Sequence, residues 1–153
     1  MLSKGMSMIQ YPQEYRVQST STAGMQEPWS SRTFEGGWDS GMTCAIPPEF
    51  QGPGGGASPE DLYALALANC FVATFKVFAE KSSAGFVSLL ADGCLTLDRD
   101  EKGVPWMSRF HLKLRIEGAA DAARIRTLLE KTSRSCMILN SVRTEKTFEF
   151  EVS

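Results

Sequence analysis

The alternation of hydrophobic and polar positions along this chain has two periods, and one stretch has no polar side at all. Residues 58–80, SPEDLYALALANCFVATFKVFAE, carry no charge between Asp61 and Lys76. On a helix drawn through them, Leu62, Ala66, Cys70, Ala73 and Val77 fall on one side, and Leu65, Ala68, Val72, Phe75 and Ala79 fall on the others. A helix that is apolar all round is buried all round, so the stretch reads as a central helix enclosed by the rest of the fold. Its uncharged run is 14 residues, short of the ~20 a bilayer span needs. Ser58, Pro59 and Asp61 mark the start: a capping hydroxyl, a proline suited to the first turn, and the acidic member of an S-x-x-[DE] box.

Upstream the period is two. Tyr15, Val17 and Ser19 alternate with Arg16 and Gln18, and residues 29–34 and 42–46 are two further short strand candidates. Gly36-Gly37 and Asp39-Ser40-Gly41 are turn signals, so the pattern predicts an antiparallel meander. The Pro- and Gly-dense segment 47–58, PPEFQGPGGGAS, leads into the helix. It has neither G-K-[ST] nor G-x-G-x-x-G, and reads as a close backbone turn rather than a phosphate cradle.

Downstream, Gly85 is the expected helix cap and 87–98 a strand, with the charged loop 99–103 turning the chain back. Phe110, Leu112, Leu114 and Ile116 then alternate with His111, Lys113 and Arg115 in the clearest strand of the chain. Gly118 and Asp121 open a second helix. Ile125, Leu128, Leu129, Thr132 and Cys136 share its inward stripe; Arg124, Arg126, Glu130, Lys131 and Arg134 take the wet side. Phe148, Phe150 and Val152 alternate with polar residues in a last strand. The order βββ-α-ββ-α-β predicts an α+β fold, with antiparallel sheets around the long buried helix. Residues 1–12 read as a loose leader and 13–153 as one domain. So small a chain has little left to surround the 58–80 helix. A second copy is expected to supply the cover, as a homodimer with a large apolar interface.

Composition narrows the function classes. At 42% apolar, 22% charged and a net charge of −2, nothing calls for nucleic acid or an acidic membrane as partner. The N-terminus lacks a continuous apolar core for a signal peptide, which points to the cytoplasm, where disulfides are usually transient and catalytic. The four cysteines, Cys44, Cys70, Cys94 and Cys136, form no C-x-x-C pair, and His111 is the only histidine. That spacing argues against a zinc site. Cysteines of this kind are commonly small buried hydrophobes, and Cys44 and Cys94 are read as non-catalytic. Cys70 and Cys136, however, sit on two helices that face one core. Such a pair suits thiol chemistry on a peroxide, where one sulfur becomes a sulfenic acid and the other closes a disulfide.

SPEDLYALALANCF at 58–71 resembles the [SN]-P-E-x-L…A-x-C-F signature of the OsmC/Ohr family of thiol-dependent hydroperoxide reductases. PPEFQGPGGG at 47–56 is similar to the Gly-rich approach to that signature, and CMILNSV at 136–142 to the family's second-cysteine motif, CPVSNSL. The resemblance runs from about Tyr15 to the C-terminus. It implies an intertwined α+β homodimer that reduces organic hydroperoxides in oxidative-stress defence, with hydrogen peroxide left open as a second substrate. It implies Cys70 as the peroxidatic thiol, Cys136 as the resolving one, and Glu60 as the carboxylate that holds a thiolate-stabilising arginine. Ala23-Gly24-Met25 stands where that arginine is usual; Arg32, in W-S-S-R-T-F, is the expected substitute and Arg16 the second choice. The implied reductant is an external dithiol such as a lipoylated protein, with no metal, flavin or haem. Ten residues of helix between Glu60 and Cys70 span ~15 Å, so the two would serve one site from different chains.

Two other classes remain open on the residues themselves. One is a dimer that holds an apolar ligand, its cysteines inert. The other is a hydrolase or thioesterase, which needs a general base beside the thiol. His111, on the polar face of its strand, is badly placed for that.

Overall fold

The computed structural model describes residues 10–34 and 36–153. The leader expected over 1–12 lies, through residue 9, outside them. The chain divides into two compact units, Met1–Pro59 and Glu60–Ser153.

The first unit is the expected meander. Strands β1 (Val17–Thr20), β2 (Trp29–Thr33) and β3 (Met42–Cys44) pair antiparallel in that order, with Val17 opposite Thr33 and Trp29 opposite Cys44. A 3₁₀ turn at Pro48–Phe50, which the sequence pattern does not signal, opens the Gly-rich segment. That segment folds back on β3. Gly54 N–H donates to the Ile46 carbonyl at 3.1 Å, and Ala57 N–H to the Thr43 carbonyl at 3.0 Å. A Cβ on Gly52 would land on the Ile46 carbonyl, and one on Gly56 would sit 2.9 Å from the Cys44 carbonyl carbon. The glycines therefore serve close backbone approach, as their sequence context suggests.

The second unit is built on helix α1 (Pro59–Lys81), with strands β4 (Ser88–Arg99), β5 (Pro105–Glu117) and β6 (Glu145–Val152) and helices α2 (Ala122–Ser135) and α3 (Met137–Asn140). Its core joins Leu67, Phe71, Phe75 and Ala79 of α1 to Phe110, Leu112, Leu114 and Ile116 of β5 and to Ile125, Leu128 and Leu129 of α2. The Phe71 ring lies 5.5 Å from that of Phe148 and 6.1 Å from that of Phe150. Asp121 caps α2 by accepting from Arg124 N–H at 3.0 Å. Ser108, the extra residue at a bulge opposite Thr96 and Leu97, donates its hydroxyl to the Thr96 carbonyl.

Four details differ from the sequence expectation. β6 runs parallel to β5, with Leu112 opposite Phe148, so the second sheet is mixed rather than antiparallel; α2 and α3 lie between the two strands and form the crossover that a parallel pair requires. Ser83, not Gly85, closes α1: it takes the left-handed conformation at φ 52°, Ala84 N–H donates to the Ala79 carbonyl, and Ser83 N–H to that of Glu80. A short helix, α3, follows Cys136. Finally, within one chain α1 is buried along one stripe and not all round, leaving Leu65 46% and Val77 48% exposed. By length and composition the whole of α1 is also long and apolar enough to cross a membrane, although its uncharged run alone is not. Its Phe71 and Phe75 are fully buried in the core of the second unit, which is the position of a central helix in a packed domain.

Candidate thiol site

Two cysteines from distant parts of the sequence meet in the second unit. Cys70 lies in the middle of α1, half-buried beside Phe71, which is fully buried. Cys136 is the single residue between α2 and α3, extended at φ −69° and ψ 120°, and fully buried. They form a disulfide across 66 residues of sequence, with their Cα atoms 6.1 Å apart, inside the range that disulfides require. Cys136 is held by its own backbone. Its N–H donates to the Thr132 carbonyl at 3.1 Å, ending α2, and its carbonyl accepts from Asn140 N–H at 3.0 Å, starting α3.

A polar tie lies on the same side of α1. Tyr63, two turns before Cys70, has its hydroxyl 2.6 Å from Thr144 Oγ1, and Thr144 donates to the Met107 carbonyl at 2.8 Å. Thr144 has one hydroxyl proton, so Tyr63 is the donor to Thr144. The chain Tyr63–Thr144–Met107 thus pins the N-terminal half of α1 to the sheet. Nothing in the sequence pattern marks Thr144, which is 2% exposed. The only signal is a phenol on an otherwise apolar helix, a group that seeks a partner when buried.

The profile of the OsmC-like protein family matches residues 52–151, which include both cysteines and all of α1 from Glu60 onward. This chain belongs to the OsmC-like family. Solved structures agree on the fold. An OsmC-like protein of unknown function from Vibrio cholerae superposes with a TM-score of 0.78 at 18% identity, over 91% of this chain and 99% of that one. The organic hydroperoxide resistance protein OhrB of Bacillus subtilis gives 0.65 at 17% identity, over 90% and 98%. An organic hydroperoxide resistance protein from Elizabethkingia anophelis gives 0.65 at 19%, over 92% and 97%. No functionally curated protein matches the chain.

In this OsmC-like chain the remaining expected site residues fall as follows. Glu60 is in the first turn of α1, on the face that also carries Tyr63 and Leu67, and its Oε2 is buried without a hydrogen-bond partner. A carboxylate oxygen removed from water in this way is costly until a donor or cation reaches it. Arg32 is on β2 in the first unit. Its Nε donates to Gln18 Oε1 at 2.8 Å, and its guanidinium lies 4.7 Å over the Phe34 ring, which Arg16 also covers at 5.1 Å. Arg32 is thus engaged as a surface strand residue. His111 is cross-strand paired, as its position in the alternation suggests: Nδ1 is 2.8 Å from Thr147 Oγ1, and Nε2 is 3.7 Å from Glu149 Oε2. Cys94, exposed, lies opposite His111 in the ladder, and Cys44 is buried in the first unit. Among the described residues no three His, Cys, Asp or Glu side chains converge as a metal site.

The outer face of the β5–β6 pair carries a charge ladder. Lys113 Nζ is 2.6 Å from Glu151 and 3.1 Å from Glu149, and Arg115 Nε is 3.0 Å from Glu151. Hydrogen bonds from Lys113 and then Arg115 hold the Glu151 carboxyl below its ordinary range. The bond to Glu151 raises both Lys113 and Arg115.

Proposed function

We propose that this OsmC-like chain reduces organic hydroperoxides by a two-cysteine cycle, with Cys70 as the peroxidatic thiol and Cys136 as the resolving thiol. One observation carries the reading: the two sulfurs, 66 residues apart in sequence, are bonded to each other within one chain. Cysteines retained only as packing have no reason to meet. A ligand-binding role with inert cysteines leaves that pairing unexplained. Relatives of the same fold described as organic hydroperoxide resistance proteins support the reaction class.

In the cycle, the Cys70 thiolate attacks a peroxide oxygen and the O–O bond breaks. The departing alkoxide takes a proton and leaves as an alcohol, and Cys70 is left as a sulfenic acid, oxidised by two electrons. The Cys136 thiolate then attacks the Cys70 sulfur, hydroxide leaves as water, and the disulfide forms. An external dithiol, such as a lipoylated protein, attacks the disulfide and restores both thiols through a mixed disulfide. The apolar wall around Cys70 suits the carbon tail of an organic peroxide, but it also disfavours a thiolate. A guanidinium brought beside the sulfur would offset this. The unpartnered buried oxygen of Glu60 supports a role for that residue in holding one. Arg32 would have to leave Gln18 to be the arginine so held. The reading also takes in a homodimer, no bound cofactor, and a reducing compartment such as the cytoplasm, where a dithiol pool resets the pair.

The test is one equivalent of cumene hydroperoxide on fully reduced protein, followed by mass spectrometry. Wild type is expected to release one equivalent of alcohol and to gain the Cys70–Cys136 disulfide. Cys136→Ser is expected to stop at the Cys70 sulfenic acid, and Cys70→Ser to consume no peroxide. Equal consumption by wild type and Cys70→Ser would end this reading.

A further inference from the structure

We infer that Asn140 is a positioning residue for Cys136, its side chain bridging the α2–α3 hinge so that the resolving thiol stays within reach of Cys70. Cys136 is the single extended residue between two helices, so a change in its φ or ψ swings the thiol relative to α1. Besides Cys136 itself, apolar packing against that swing at the start of α3 comes from one residue. Met137 is 71% exposed and Ile138 41%, and only Leu139 is buried. Met137 also lacks the φ restriction that a proline would impose at that position.

Polar side chains do the holding instead. Asn140 Nδ2 reaches back over the hinge to the Arg134 carbonyl at 3.0 Å. That carbonyl is in the last turn of α2, where no intrahelical donor exists to satisfy it. The far end of the segment is fixed by Lys146, whose Nζ donates to the carbonyls of Leu139 at 2.9 Å and Val142 at 3.1 Å. Ser141 Oγ closes the turn on the Met137 carbonyl at 2.8 Å. The bridge from Asn140 is the one bond among these that spans Cys136 from one helix to the other.

The inference deepens the proposed cycle and rests on it for the peroxide arm of its test. Asn140→Asp keeps the side chain's size but has no N–H to give the Arg134 carbonyl; Asn140→Ala removes the contact. Lys146→Met, which frees the other end of the turn, acts in the same direction and serves if either Asn140 variant is unstable. In a Cys136→Ser background, the first oxidation of Cys70 by cumene hydroperoxide is expected to keep its wild-type rate in all three. With Cys136 present, disulfide closure is expected to slow by roughly tenfold or more, and the share of Cys70 driven on to sulfinic acid to rise. A merely structural role would slow both steps alike.

The second arm uses no peroxide. Diamide takes two electrons from the thiol pair and is reduced to a hydrazine as the disulfide forms. The equilibrium of that disulfide against dithiothreitol is expected to shift towards the reduced pair in the Asn140 variants. An unchanged equilibrium together with unchanged sulfinic acid overturns the inference. A wild type that ignores hydroperoxide, while the dithiothreitol equilibrium still responds to Asn140, overturns the proposed reaction and leaves the positioning role standing.

Discussion

Gly93 shows how closely the second unit is packed at the level of single atoms. Itself open to solvent, it lies on β4 opposite Leu112, and a Cβ placed there would lie 2.9 Å from Cζ of Phe110. The Phe110 ring therefore occupies the space a side chain would take. Gly93→Ala forces that fully buried ring to shift, at a cost of roughly 1–3 kcal/mol, read by urea denaturation. Phe110→Leu vacates the space at its own cost, so the double variant should be more stable than the sum of the two losses predicts. Simple additivity in the cycle would mean that the ring is not what excludes a side chain at Gly93. The same closeness explains what was legible at the site. Cys70 and Cys136 stand out because each interrupts or ends an apolar stripe. Thr144, Lys146 and Asn140 do not stand out, because each acts through a contact with residues that neither period nor motif links to it.

Among the elements, β5 is legible residue by residue, because from Phe110 to Ile116 one face is fully buried and the other largely solvated. Its period of two is therefore unbroken from Phe110 to Ile116. The same period says nothing about direction: the alternation in β6 is equally compatible with parallel and antiparallel pairing, and only the α2 crossover decides. Helix α3 has no sequence signature because four residues are too few to show a period of 3.6. The outer face of β5–β6 makes a testable statement about what ties these parallel strands. Glu151 accepts from Lys113 and Arg115, and its carboxyl is held low in the folded chain. Its contribution is therefore complete above the unfolded carboxylate value of ~4.3 and is lost as pH falls through the lower native value. All three groups are open to solvent, so the effect is small and screened. Glu151→Gln should melt slightly below wild type at pH 7 in low salt. The gap should close in about 1 M salt, and should also close in acid as Glu151 itself becomes neutral. A gap that widens in acid would mean that the glutamine is doing harm unrelated to charge.

At the scale of the whole molecule, the apolar surface of α1 exceeds what one chain covers. Leu67, Phe71, Phe75 and Ala79 are buried, while Leu65 and Val77 are about half exposed, and no charge occurs between Asp61 and Lys76. The first unit is short of core as well: of its described residues only Cys44, Ala45 and Ser58 are buried, while Tyr15 and Val17 stand open. A three-stranded sheet so thinly covered gains little stability by itself. A second copy of this chain fits these facts, since an uncharged helix face can meet its own copy about a two-fold axis without like charges opposing. Sedimentation should therefore give the mass of two chains. Because such a dimer folds as it assembles, its melting temperature should rise with protein concentration. Leu65→Glu and Val77→Glu each place a charge on this surface, and each should shift the population towards monomer and lower the melting temperature, with the concentration dependence weakened. A wild-type monomer whose melting is independent of concentration would mean that another protein, a bound lipid or water itself meets these faces. In that case Glu60 and Cys70, about 15 Å apart along one helix, would have no second chain through which to serve one site.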